Sequence, residues 1–456
     1  LLLAANNRHA KPRLVLDEGV LSEVRRVAIM LADAIGSTTT GIWSTTSDYT
    51  SSKKRKLYLQ AEQSLREKPI HARDAYVTPF IKDEKRDTTT ILKNPRAIHP
   101  RKPRYNSAVA RYIKPIEKLL YSIDGTMFKN CMPGRIIAKG LDSDGRAKLI
   151  HDQFYSFVRP QAISLDVSGF DGSLDEEIIM IEHLAYLRMN PDQLFRQLLK
   201  MQRVNFAQIE WFMYVIKGSR MSGDMNTALG NCMLMIIFIV AYMERQNIVY
   251  ALIDDGDDLI LMVERDTVDT ASIVSWYRSL GMTLRVDGVY NELKDIVFCQ
   301  SQVMNYGGKQ RLIRNATLVM SKALMSTSTT KANIREKLYL TGCSVLAQYA
   351  GIPILQEFAR ALIRGYTGKI TKGRAVHLVG AYDYQQIESF VHDRGILRLL
   401  APVTAEARLC YFEMFGVTAG EQIQQEMYWS AWELGSNWEI VNGDYREIVS
   451  EDSCKV

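Results

Sequence analysis

The stretch "IDDGDDLILMV", Ile253 to Val263, sets four aspartates in five positions around one glycine, directly before an apolar run. The residues just upstream, "IVYAL", are apolar too. Four like charges side by side repel, and an unpaired carboxylate is costly to bury. The pattern therefore reads as two short strands joined by a turn containing Asp-Gly, a strong local hairpin signal. A hairpin carries its turn residues to the tip, outside the buried sheet, where acids can reach solvent or a ligand. A divalent cation accounts for their company, because carboxylates gathered around Mg²⁺ exchange repulsion for coordination.

Phosphoryl transfer commonly uses two such ions about 3.5–4 Å apart, held by acids from more than one chain segment. Upstream, "QAISLDV" (Gln161 to Val167) is short and rich in strand formers. Its Asp166 is the obvious second donor. After Asp171 comes "SLDEEIIMIEHLAYLRMNP", with Ser173 and Glu176 spaced as a capping box, apolar residues at helical spacing, and Pro191 past the end. Asp166 and Asp171 thus flank a strand-to-helix turn. Further on, "SGDMNTALGNCMLMIIFIVAYME" runs from a loop of Ser222, Gly223 and Asp224 into a helix that becomes wholly apolar. Its longest apolar run, Cys232 to Met243, is too short to span a bilayer and reads as a buried helix. Another helix, about Thr267 to Leu280, stops at Gly281, and from about Leu312 the pattern is mostly helical.

The chain has 456 residues, 47% of them hydrophobic, so two or three closely joined lobes are expected rather than one globule. Lys+Arg 57 against Asp+Glu 51 leaves a net charge of +6, compatible with a polyanionic partner. The basic residues cluster: Thr88 to Ile116 holds seven Lys/Arg and no Asp/Glu. Pro95, Pro100, Pro103 and Pro115 argue against a long helix there and for an extended basic ribbon. A solvated charged face is the competing reading, but the prolines with Tyr105 and Tyr112 favour a shaped, partly packed surface. Six scattered cysteines without CxxC spacing speak against structural zinc or a disulfide framework and for a reducing compartment. Cys299 reads as packing rather than a nucleophile. The opening "LLLAANNRHAK" has no initiating Met and no basic region before its apolar residues, so it reads as the cut end of a longer precursor, not a signal peptide.

A lone Gly-Asp-Asp is a weak signal. Three features in order are much stronger: D-x4-D at a strand end, S-G-x3-T-x3-N opening an apolar helix, then the Gly-Asp-Asp hairpin. Together "LDVSGFDGSLDEE", "SGDMNTALGNCMLM", "DDGDDLILMV" and "VFCQSQV" resemble motifs A, B, C and E of viral RNA-dependent RNA polymerases, nearest the tombusvirus-like group of positive-strand RNA viruses. "FIKDEKRD" and "NPRAIHPRKPRYNSAVARYIKPIE" resemble that group's basic motif F. The resemblance covers about Phe80 to Gln302.

It implies an α+β right-hand fold of fingers, palm and thumb, with an antiparallel palm sheet flanked by helices and a mainly helical thumb. The implied layout is 1–158 fingers including the basic ribbon, 159–190 palm, 191–220 a fingers insertion, 221–311 palm and 312–456 thumb. Asp166, Asp257 and Asp258 are the implied metal ligands, for two Mg²⁺ ions with Mn²⁺ able to substitute. Asp171 and Asn231 are implied to recognise the ribose 2′-hydroxyl, with Ser222 and Thr227 shaping that pocket. Lys82, Lys85 and Arg96 fall at motif F positions lining the route of the polyanionic triphosphate. Implied partners are template and product RNA, NTPs and other viral replication proteins, with no membrane span in this chain. The implied setting is the host cytoplasm, at membrane-associated replication complexes. The sequence departs from the pattern at Asp254 and Asp255, read as turn residues without a ligand role. It also departs at "LGMTLRVDG", where Arg285 stands in the region that often supplies a lysine as general acid.

Rival readings make distinct demands. A reverse transcriptase shares the palm, but a DNA-making site excludes the 2′-hydroxyl, against the Asp171 and Asn231 pair. A non-catalytic RNA-binding protein would treat the acids as surface turns and has no need of all three metal-site aspartates. A Ca²⁺ loop requires EF-hand spacing, which the glycine's surroundings lack.

Overall fold

The aspartate-rich stretch forms the hairpin that its turn chemistry predicts. The computed structural model describes residues 1–10, 14–39, 52–82, 84, 95–209, 212–325, 333–379, 384, 386–391, 395–434, 438–441 and 444–447. The chain divides into two units, one of Leu1–Asp83 with Leu92–Val303, the other of Glu84–Ile91 with Met304–Val456. Both strands and helices are present, and the sheets, the central one included, are built from antiparallel pairings.

The first unit is built on helices α1 (Leu2–His9) and α2 (Glu18–Ile35), strand β1 (Pro160–Val167), helices α3 (Glu176–Met189) and α4 (Thr227–Gln246), strands β2 (Tyr250–Asp254) and β3 (Asp258–Glu264), helix α5 (Thr270–Ser279) and strand β4 (Leu284–Tyr290). The four strands form one sheet in the order β2-β3-β1-β4. Strands β2 and β3 are almost wholly buried, which is why their sequences read as continuous apolar runs rather than alternating ones. Strand β4 lies at an edge and alternates buried or half-buried with exposed positions. The other edge, β2, is covered by the segment 130–138: Met132 N donates to Tyr250 O at 2.7 Å and Ala138 N to Asp254 O at 2.8 Å.

Helix α4 is buried all round through most of its length, as an apolar helix in a large core must be. Among the described residues it is the one helix long and apolar enough to cross a membrane, and most of it lies inside the core. Helix α2 begins where the Asp17 side chain accepts from Val20 N, buries Val20, Leu21, Val24, Val27, Ala28, Leu31 and Ala32 along one face, and ends at Gly36 with φ +81°. Removing this stripe from water, at about 25 cal/mol per Å² of apolar surface, is what holds the helix on the core.

Two expectations need correction. Helix α3 is capped by Asp175, whose carboxylate accepts from Glu177 N at 3.1 Å, and not by a Ser173–Glu176 box. A short helical turn, Phe170–Ser173, precedes α3 and uses the Ser173 hydroxyl on the carbonyls of Ser168 and Gly169. The prolines also do not keep the basic segment extended. Pro103–Leu120 is an 18-residue helix with Pro103 in its first turn and Pro115 inside it. Proline is favoured at a helix start, where its missing N–H has no intrahelical partner to lose. Pro115 forfeits one hydrogen bond, and a buried face including Tyr105, Val109, Tyr112 and Ile113 outweighs that loss.

The second unit is mostly helical, as its pattern predicts. Its helices Ile334–Tyr349 and Leu355–Arg364 pack closely over Gly342, where a Cβ would come within 2.8 Å of Ala359 O.

Candidate active site

Sheet register brings the acids together. Asp166, near the end of β1, pairs across the ladder with Asp258 on β3 and with Arg285 on β4. A register shift between Ser164 and Leu165 lets β4 skip Asp287, and this bulge turns Arg285 rather than its neighbour toward Asp166. Arg285 Nη2 donates to Asp166 Oδ2 at 2.8 Å, while its Nε pairs with Asp287. Gly256, at φ +103°, carries the hairpin through its turn and leaves Asp257 exposed at the tip.

Burial raises the Asp166 carboxyl above its ordinary range; the Arg285 charge opposes this, and the charges of Asp287 and Asp257 add to it. Asp258 is raised by burial and then by Asp257 and Asp166. Asp166, Asp257 and Asp258 thus stand close enough to feel one another. Among the described residues no three His, Cys, Asp or Glu side chains converge tightly enough to hold an ion, and one Asp166 oxygen is turned to Arg285. The donor set suits a hard divalent cation all the same, being several carboxylates that repel one another at one end of the sheet.

Asp254 and Asp255 are not a pair of exposed turn residues. Asp254 is the last residue of β2 and fully buried, with Oδ2 accepting from Gly256 N at 3.2 Å and Oδ1 unpartnered. Burial pushes its carboxyl well above the ordinary range. The covering segment 130–138 encloses it, and no local signal announces that. Asp255 does sit in the turn, but it is paired with both Lys139 and Arg146 and also accepts from Cys299 Sγ at 3.5 Å. Burial raises the Cys299 thiol, which suits its packing role.

A cleft of about 510 Å³ opens beside the sheet end and is lined in part by Asp166, Asp171, Asn231, Thr227, Asp257 and Arg96. Gly169, at φ +67°, turns the chain off β1 and into the short helix that carries Asp171. Asn231 Nδ2 donates to Asp171 Oδ1 at 2.9 Å. Thr227 directs its hydroxyl to the carbonyls of Met221 and Asp224. Ser222 is not among the cleft-lining residues; its hydroxyl accepts from His99 N at 3.4 Å. Lys82 N donates to Arg96 O at 2.8 Å, closing a short ribbon of Phe80–Ile81 against Ala97–Ile98. Lys85 lies outside the described residues.

Several supports were not read from the sequence. Arg101 is buried and bonded to Asp224, to Ala75 O at 2.7 Å and to Asn205 Oδ1 at 2.5 Å. It ties the basic segment to the Ser222–Asp224 loop. Gly223 lies directly on Pro100, where a Cβ would come within 2.4 Å of Pro100 Cα. Arg220 forms a buried ion pair with Glu182 of α3, and Asn226 Nδ2 adds a 2.9 Å bond to the same carboxylate. Arg8 of α1 reaches Asp171 from a residue 163 positions away. Sequence separation hides every one of these contacts.

The sequence matches the family model described as "Viral RNA dependent RNA polymerase" over residues 6–437. It is 31% identical over 411 residues to the RNA-directed RNA polymerase of Oat chlorotic stunt virus (isolate United Kingdom), covering 86% of this chain and 54% of that protein. It is 31% identical over 409 residues to the enzyme of the same name from Tobacco necrosis virus (strain A), covering 88% and 55%. For that of Tomato bushy stunt virus (strain Cherry) the identity is 31% over 405 residues, covering 85% and 47%. The chain spans about half the length of the curated relatives it matches. It belongs to the viral RNA-dependent RNA polymerase family.

Proposed function

We propose that this chain is the catalytic core of an RNA-directed RNA polymerase, adding ribonucleotides to an RNA 3′-hydroxyl on an RNA template during viral genome replication. One observation carries the reading: the cleft lined by Asp166 and Asp257, at the sheet end where Asp258 is in register with Asp166, also holds the Asp171–Asn231 hydrogen bond. Acids for phosphoryl transfer and a polar pair suited to a sugar hydroxyl thus share one space. The right-hand layout belongs to the same proposal, with fingers in 1–158 and 191–220, palm in 159–190 and 221–311, and thumb in 312–456. The names of the relatives support RNA-directed synthesis.

In this reading Asp166, Asp257 and Asp258 would hold two Mg²⁺ ions. When bound, these would lower the pKa of the attacking hydroxyl and neutralise charge on the leaving pyrophosphate. The chain's own groups do the rest. Asp171 accepts the ribose 2′-hydroxyl, and Asn231 fixes that carboxylate from the buried side. Arg96 supplies a fixed cation to the triphosphate in the low-dielectric cleft. Arg285 neutralises Asp166 before the ions arrive and, always protonated, serves as a charge and not as a proton donor.

The test is nucleotide incorporation on a short RNA template with Mg²⁺ or Mn²⁺. Asp166→Ala and Asp257→Ala should each lose at least about 10²–10³-fold in rate, the scale seen when a group stabilising developing charge is removed. RNA affinity should be retained, and Asp258→Asn should be milder. Substantial synthesis by both alanine variants overturns the assignment.

A further inference from the structure

Helix α1 is seated in the cleft that reads the sugar. Arg8 Nη2 donates to Asp171 Oδ2 at 3.1 Å and to Arg220 O at 2.8 Å. The two oxygens of Asp171 are thereby divided, with Oδ1 taken by Asn231 and Oδ2 by Arg8. The backbone is engaged as well: a Cβ on Gly172 would come within 2.9 Å of Arg8 O, so that position lets the helix lie directly on the turn. Next along, His9 stands 3.3 Å from His99 Nε2 and 3.4 Å from Ser219 Oγ, and Ser219 donates to Asp171 O at 3.3 Å. Helix α1 therefore grips the Asp171–Gly172 turn through side chain and backbone, and Arg8 itself lines the cleft.

We propose that Arg8 is a positioning residue for ribose selection, holding the Asp171 carboxylate in one orientation for the 2′-hydroxyl. This rests on the polymerase reading above. An ionised carboxylate has about four acceptor sites, so two donors leave capacity for a substrate hydroxyl. The Asn231 amide alone is neutral and bonds one oxygen. The guanidinium adds opposite charge at the second oxygen, and charge-assisted hydrogen bonds are about twice as strong as neutral ones. An orientation held from both oxygens costs no rearrangement when the sugar arrives. Arg8 acts through Asp171 and not on the reacting atoms.

The experiment measures single-nucleotide incorporation by the full chain with matched ribo- and deoxyribonucleotides, for wild type, Arg8→Ala, Arg8→Lys and Gly172→Ala. For Arg8→Ala, kcat/KM for the ribonucleotide should fall about tenfold or more, mainly through KM, with the deoxyribonucleotide changing less than about threefold. The ribo/deoxy ratio should shrink accordingly. Arg8→Lys should recover part of it, and Gly172→Ala, which pushes the helix off by its backbone, should move the ratio the same way. RNA affinity should stay at the wild-type value, and each variant should still unfold in a cooperative thermal transition. Equal losses for both sugars make Arg8 merely structural and overturn the proposal. Faster ribonucleotide incorporation by Arg8→Ala makes α1 a plug and overturns it too. A wild-type chain that adds no nucleotide removes the polymerase reading itself, an outcome distinct from active wild type with an unchanged ratio in the variants.

Discussion

Arg285 and Asp166 face each other across adjacent strands, Nη2 to Oδ2 at 2.8 Å, because a bulge in β4 skips Asp287. In the proposed two-metal reading, the guanidinium would compete with a metal for that oxygen. The Arg285 side chain is 62% exposed, so solvent screens the pair and its worth is at most about 1 kcal/mol. Arg285→Gln should therefore tighten Mn²⁺ binding, measured by calorimetry without nucleotide, by up to about fivefold. Weaker binding in the variant would show that Arg285 supports the site instead of competing for it.

The basic segment divides into residues that face the cleft and residues spent on the fold. Arg96 lines the cleft, whereas Arg104 is bonded to Asp74, to the Ser64 hydroxyl and to the carbonyls of Lys68 and Pro69. Arg96→Ala should raise the nucleotide KM several-fold with little change in template affinity. Arg104→Ala should lower the urea midpoint by about 1–3 kcal/mol equivalent, since several acceptors lose a charged donor. The salt dependence of RNA binding should not move, because no phosphate contact is lost. A shallower salt slope for Arg104→Ala would return that residue to the RNA surface.

The division between legible and hidden features follows sequence distance. The hairpin at Asp257 and the turn between Asp166 and Asp171 are local, set by Asp-Gly chemistry and a strand that ends in a glycine turn. Helix α4 announces itself by an unbroken apolar run. The capping residue of α3 was misplaced because Ser173 and Asp175 compete and an extra helical turn decides between them. Asp254 looked exposed beside its charged neighbours, but a segment more than a hundred residues upstream closes over it. Nothing local in the sequence marks Arg101 apart from the other cations of the basic segment, and its burial depends on Asp224 and Asn205. Proline rules fail at Pro115 because tertiary packing outweighs one missing hydrogen bond.

His183 makes the fold acid-sensitive. It is buried in α3 beside the Glu182–Arg220 pair, and burial lowers its pKa from 6.5 to about 4. The folded state therefore holds it neutral, while the unfolded chain takes up a proton below 6.5. The stability tied to neutral His183 is complete above pH 6.5 and is lost as pH falls toward 4, on the order of 3 kcal/mol. His99, also buried and lowered to about 4, adds in the same direction. Urea midpoints at pH 7 and pH 5 should differ less for His183→Gln than for wild type. Equal differences would mean that His183 is protonated within the fold.

Sugar choice separates the proposed RNA-making activity from a DNA-making one. Asp171 lies beyond the end of β1, past the Gly169 turn, so it can approach the sugar while Asp166 stays on the strand. Asn231 lies one helical turn into α4, about 5–6 Å along the axis from Thr227, and its amide meets Asp171 Oδ1 at 2.9 Å. Its Oδ1 is buried and unpartnered. Buried polar groups arranged around a hydroxyl are left unpaired by a substrate that lacks it, and such sites can discriminate by as much as about 10⁴-fold. Wild type should strongly prefer ribonucleotides, and Asn231→Ala should narrow that preference by about one to two orders of magnitude. The narrowing should come from lost ribonucleotide efficiency, because a deoxynucleotide never made the contact. Asp171→Ala should do the same and more, since it also strips Arg8 of its partner. A wild-type ratio in both variants, measured on one template at matched metal concentration, would remove the pair from sugar reading while leaving the roles of Asp166 and Asp257 untouched.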